Sequence, residues 1–134
     1  MKDLEKAKEI FAQGKYSFVL VKDDDIITCS ERGLINLVEL IESQKDYSEY
    51  SICDKVCGRA SAFLYVLLGL KEVHAVKMAK LAVQILDRAE IEFSFETSID
   101  TVLDEKMEAV DKFETAVVKS GSAVNALKDI KAVL

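Results

Sequence analysis

The sequence predicts an α/β sandwich around a mixed β-sheet, and three observations carry that prediction. A strand, a helix and a strand follow one another over residues 72–96, a spacing that implies a parallel pair joined by a right-handed crossover. Two short runs rich in β-branched and aromatic residues, YSFVLV and IITC, flank KDDD and read as an antiparallel hairpin. Between these regions lies the longest apolar tract, SICDKVCGRASAFLYVLLGL at 51–70, which only neighbouring elements can cover. Parallel and antiparallel pairs in one chain make the sheet mixed, and the helices supply the layers around it.

The elements follow in order. Residues 3–13, DLEKAKEIFAQ, place Leu4, Ala7 and Phe11 on one helical face, and Gly14 stands where a C-terminal cap belongs. The hairpin pairs residues 16–21 with 26–29, and its DDD reads as a solvated turn, since a calcium loop spaces its oxygens around a glycine and ends in a glutamate. Leu34, Leu37, Val38 and Ile41 repeat with a helical period over 34–43, and the polar SQKDYSEYS that follows is a loop. The apolar tract then reads as one helix from 52 to 69, with Ser51 as N-cap, Asp54 as a capping-box acid and Gly69 as its stop. From Ala60 onward every face is apolar or small, so this helix is expected to be the most buried element.

EVHAV, 72–76, is a strand, and 78–89 is a helix with Leu81, Ile85 and Leu86 on a shared face. IEFSFE alternates strictly, with Ile91, Phe93 and Phe95 on one side and Glu92, Ser94 and Glu96 on the other. The remainder reads as helical, interrupted near Ser120, Gly121 and Ser122, with a last stripe through Ala123, Leu127, Ile130 and Leu134.

A length of 134 residues suggests one domain over 1–134, and an apolar fraction of 50% with 31% charged residues is that of a soluble globular protein. The run from Ala60 to Leu70 is too short to span a bilayer and the first residues carry no signal-like apolar segment, so the expectation is a cytoplasmic protein without a membrane partner. A net charge of −6, with lysines scattered among acids, argues against a nucleic-acid partner. Three cysteines cannot all pair within one chain, and reduced thiols are expected.

Chemistry-bearing motifs are sparse. His74 is the one histidine and sits in a strand, so a Ser-His-Asp or Cys-His mechanism would have to use it, and no G-x-S-x-G pattern accompanies it. Triad hydrolysis is therefore not expected. Cys53 and Cys57 are spaced i, i+4 with Cys29 elsewhere, unlike the turn-borne cysteine pairs of zinc sites, so no metal and no cofactor are predicted. Cys57 reads as a small core residue, whereas Cys53, in the first turn of the expected helix, is a candidate reactive thiol favoured by the helix dipole. Lys55 and Arg59 lie one turn apart on that helix, and with its free N–H groups they form a candidate site for a small anion; the plainer reading is that Asp54, Lys55 and Arg59 only solvate the helix end. Neither G-x-x-x-x-G-K-[ST] nor G-x-G-x-x-G occurs, which excludes the standard phosphate loops.

YSFVLVK at 16–22, ERGLINLVELIE at 31–42, DKVCGRASAFLYVLLGL at 54–70 and KEVHAV at 71–76 resemble an uncharacterised prokaryotic family, the "domain of unknown function 1893" family. The resemblance spans roughly residues 3–134 and is sharpest in D-K-x-x-G-[KR]-A, here Asp54, Lys55, Gly58, Arg59 and Ala60. It implies a cytidine-deaminase-like fold, a three-layer α/β/α sandwich. Zinc deaminases carry H-x-E at one central helix and P-C-x-x-C at the next. This chain reads C-D-K-V-C-G and K-M-A-K-L-A at those places, so the resemblance implies the scaffold without the zinc machinery. The chain also departs from the family's S-E-P, having Ala79, Lys80 and Leu81, and from its N-R-x-G and C-P-x-E, keeping only Glu114 in DEKMEAVDKFE at 104–114.

The resulting expectation is a small-ligand binding protein rather than an enzyme. Lys55 and Arg59 hold a nucleotide-like anion, Asp54 orients Lys55 or a ligand hydroxyl, Gly58 belongs to the motif and Glu114 closes the pocket. The alternatives are a homo-oligomer or partner-docking domain using a stripe through Phe113, Val117, Leu127 and Ile130, and a zinc-free enzyme using Cys53.

Overall fold

A computed structural model describes residues 2–134. The elements are α1 (Asp3–Ala12), β1 (Phe18–Lys22), β2 (Asp25–Cys29), α2 (Ile35–Glu42), β3 (Ser51–Cys57), α3 (Arg59–Leu68), β4 (Glu72–Ala79), α4 (Lys80–Arg88), β5 (Glu92–Ile99), α5 (Lys112–Ala116) and α6 (Ala123–Lys131). The strands form one mixed sheet in the order β2-β1-β3-β4-β5. β1 runs antiparallel to β2 and to β3, while β3, β4 and β5 are mutually parallel, with α3 and α4 as the crossovers.

Three layers result. α1 packs against β1 and β3 on one face, and the remaining helices gather around α3 on the other. β1 feeds both layers, so its FVLV run is apolar without alternation: Phe18 and Leu20 enter the large core, while Val19 and Val21 meet Ala7 of α1 and Cys53 in a smaller one. The β1–β2 turn places Asp23 at φ +53, a conformation aspartate tolerates, and Asp3 Oδ1 accepts a hydrogen bond from the Asp23 N–H at 3.0 Å.

The largest departure from expectation lies at residues 51–57. They form the central strand of the sheet, not the start of a helix, and α3 begins only at Arg59. Ser51 to Asp54 are buried between β1 and β4, and a strand covered on both faces shows no period-2 pattern to separate it from a buried helix. Ser51 and Asp54 are therefore not caps, and Gly58 occupies the N-cap position. The stop at Gly69 is as expected: it adopts φ +66 and its N–H reaches the Tyr65 and Val66 carbonyls. α3 buries Ala60, Ser61, Ala62, Leu64, Tyr65 and Leu68.

β4 runs on to Ala79, and α4 buries Ala82 and Leu86 while leaving Leu81 exposed. After β5 the chain does not turn helical at once. Residues 100–111 form a strap that folds back on itself through a turn at 105–106, closed by an antiparallel bridge between Leu103 and Val110, and Asp111 and Ser122 then cap α5 and α6 by accepting from the Phe113 and Asn125 N–H groups. Phe113, Val117 and Ile130 are buried in this chain's own core with Leu127 against it, so the stripe considered for docking a partner covers α3 from within the same chain. Among the described residues, no helix is long and apolar enough to cross a membrane.

Candidate functional site

A cleft of about 1050 Å³ opens where β3, β4 and β5 end. Its walls come from Asp54–Val56 on β3, Val76 and Lys77 on β4, the strap after Ile99, and the α1–β1 loop at Lys15 and Tyr16. The carboxyl ends of parallel strands are where open α/β sheets bind ligands, because the crossover helices there leave a crevice.

Asp54 lies in this cleft at 6% exposure. The Tyr65 hydroxyl, on α3, donates to its Oδ2 at 2.5 Å and the Val56 N–H donates to its Oδ1 at 3.2 Å. Burial pushes the Asp54 carboxyl up to about 7 against the pull of those two bonds. Tyr65 is itself driven well above its ordinary value by burial and by the neighbouring Asp54, so it remains a hydroxyl donor. Lys55 and Lys77 are exposed on neighbouring strands, where Val56 pairs with Lys77, and neither has a carboxylate within ion-pairing distance among the described residues. Arg32 ties the strap down, donating to the Leu103 carbonyl at 3.3 Å and pairing with Glu105 at 3.5 Å; Lys80 holds its other end through Asp100 at 2.9 Å.

The start of α3 is not open to a ligand. Glu114, 3% exposed, accepts from the Arg59 N–H through Oε1 and from the Ala60 N–H through Oε2, each at 2.8 Å, and the Arg59 guanidinium donates to the Glu114 carbonyl at 3.3 Å. A side-chain carboxylate thus fills the place where the helix dipole favours an anion. Burial raises the Glu114 carboxyl above its ordinary value, and the two backbone bonds and Arg59 oppose that shift. Gly58 makes the approach feasible: a Cβ there would lie 2.3 Å from Glu114 Oε1 and 2.6 Å from Val102 Cγ2.

Two expectations are corrected by this geometry. Lys55 and Arg59 do not share a helix face, since one is on β3 and the other opens α3 with its guanidinium turned to Glu114. The dipole argument for a reactive Cys53 also fails: Cys53 sits in mid-strand, 2% exposed, and burial pushes its thiol up to about 12. Cys29, Cys53 and Cys57 are free thiols, and among the described residues no three His, Cys, Asp or Glu side chains are grouped as metal ligands. The structure brings Asp54, Lys55, Gly58 and Glu114 to the cleft wall and leaves Arg59 behind it. Two cleft residues were not singled out from the sequence. Tyr65 is a polar ring in an apolar helix, which signals a buried partner for its hydroxyl, whereas Lys77 has no signal short of knowing the parallel register.

No protein of curated function matches the sequence. Among solved structures, the crystal structure of a DUF1893 family protein from Thermotoga maritima at 2.70 Å resolution has the same fold, with a TM-score of 0.90 and 23% identity over 100% of this chain and 92% of that one. The sequence pattern of the family described as "Domain of unknown function (DUF1893)" matches residues 6–134. That span takes in the sheet, the cleft and the Glu114 seat together, and the chain belongs to the DUF1893 family.

Proposed function

We propose that the cleft binds a small anionic ligand, with Lys55 and Lys77 supplying positive charge and Asp54 accepting a hydrogen bond from a ligand hydroxyl or amine. The supporting observation is that one cleft is lined both by two exposed lysines without carboxylate partners among the described residues and by a buried carboxyl, in a chain whose net charge is −6. Polar groups converging on a largely apolar cleft are the usual arrangement of a small-molecule site. The ligand sits at the strand ends rather than on α3, because Glu114 already occupies the helix start.

In this reading the sheet and its helices are a cytidine-deaminase-like scaffold without the H-x-E and P-C-x-x-C motifs, and the nucleotide-like character of the ligand follows from that analogy of fold. Melting temperatures measured against nucleosides, nucleotides and sugar phosphates test it, with Lys55→Ala and Lys77→Ala as controls. The expected result is a rise with one compound class; at a concentration 100 times its Kd a ligand adds about 2.7 kcal/mol. Loss of that rise in both variants supports the site, and no rise with any compound overturns it.

A further inference from the structure

A second constellation lies on the sheet outside the cleft, and it involves the histidine. His74 is on β4, 4% exposed, and in the sheet register it pairs with Ser94 of the edge strand β5. Its Nδ1 lies 2.7 Å from Ser94 Oγ and its Nε2 lies 3.3 Å from Glu96 Oε2. Ionised, Glu96 can only accept, which assigns the imidazole proton to Nε2 and leaves Nδ1 a lone pair for the Ser94 hydroxyl to donate to. A hydroxyl, a base within hydrogen-bond reach and a third group that orients the base are the parts of an activated nucleophile, recognised by their roles and not by order in the chain. Both Ser94 and Glu96 are exposed, so a small electrophile reaches the hydroxyl without a change of conformation.

We propose that Ser94 is a nucleophile toward activated acyl esters, with His74 as its general base and Glu96 as a positioning residue. Ser94 Oγ forms a bond to the ester carbonyl carbon while its proton passes to His74 Nδ1. The carbon–oxygen bond to the leaving alcohol or phenol then breaks, the leaving oxygen takes the proton from His74, and an acyl-serine remains. Water repeats the sequence to release the carboxylic acid. The sequence argument against a triad rested on a lone histidine and a missing G-x-S-x-G turn, and cross-strand pairing supplies partners that neither feature reports.

The test is acetylation by 4-nitrophenyl acetate at neutral pH, followed residue by residue by peptide-mapping mass spectrometry. Ser98, exposed on the same strand with Met78 as its register partner, is the internal reference. General-base assistance predicts that Ser94 reacts roughly 10²–10⁴ times faster than Ser98. Removal of the base in His74→Gln abolishes the advantage. Glu96→Gln abolishes it too, because an amide N–H facing Nε2 favours the tautomer whose Nδ1 carries the proton, whereas Glu96→Asp retains part of it. That rescue separates positioning from a structural role, and Glu96 is exposed, so its variants remain informative should His74→Gln fail to fold. Acetylation of Ser94 no faster than of Ser98, or an advantage unchanged in Glu96→Gln, overturns the proposal.

Discussion

The start of α3 and the mouth of the cleft beside it draw on one short stretch, Asp54 to Ala60, yet differ in how fully their polar groups are satisfied. At the helix start the polar groups meet protein partners: Glu114 accepts from the Arg59 and Ala60 N–H groups, and the Arg59 guanidinium donates to the Glu114 carbonyl. At the cleft, Asp54 is held by Tyr65 and Val56, but Lys55 and Lys77 have no carboxylate among the described residues. A closed polar cluster contributes to stability, since opening it leaves buried groups unpaired; exposed charges without a protein partner are satisfied by solvent and contribute little to it. The same motif therefore divides into a closed half at the helix start and an open half at the cleft.

Substitution at Gly58 should break the closed half most severely. A methyl group there collides with both Glu114 and Val102, and we expect Gly58→Ala to cost about 3 kcal/mol in urea unfolding. Glu114→Ala comes next, at about 2 kcal/mol, because it removes two charge-assisted bonds and leaves their N–H donors unpaired. The double variant should cost less than the sum, as the alanine at 114 removes part of the collision; strict additivity would show that the two residues are not in contact as described.

Asp54 gives a pH signature on the cleft side. Its folded carboxyl, at about 7, lies above the ordinary value of 3.8, so the native state binds the proton more tightly than the unfolded chain. The contribution is fully present below pH 4 and is lost as pH rises through about 7. Glu114 is shifted in the same direction, so both add to a fall in stability from acid toward neutral pH. Asp54→Asn should make that fall shallower, and an unchanged pH–stability curve would show that Asp54 ionises normally. The smallest effect on stability is expected for Lys55→Ala, within about 0.5 kcal/mol, because the side chain is exposed and unpaired. A large loss there would mean that Lys55 belongs to the closed half after all.

Legibility in the sequence followed exposure. The hairpin was readable because an aspartate turn separates its strands, and β5 because an edge strand with a wet face alternates. β3 was not, because Ser51 to Asp54 are covered on both sides and run directly into an apolar helix; Gly58 is the sole punctuation between them. The place of residues 51–57 on a strand removes the capping roles of Ser51 and Asp54, the dipole argument for Cys53 and the helix face shared by Lys55 and Arg59. Asp54 and Lys55 stand out locally as charges beside an apolar tract, and Gly58 and Glu114 stand out through the family resemblance; all four line the cleft. Their roles were not legible, because Glu114 lies 55 residues from the N–H of Arg59 that it accepts from, and no local pattern encodes that meeting.

The Glu114 seat also bears on the order in which the chain can complete itself during synthesis. All five strands and α3 precede residue 100, so a nascent chain holds the whole sheet before the acid arrives that closes the first turn of its central helix. Until residue 114 emerges, the Arg59 and Ala60 N–H groups have only water to bond, and the strap that walls the cleft hangs from Ile99 without its far anchor. The finished cleft is thus among the last features to form, closed only after the sheet beneath it has been built.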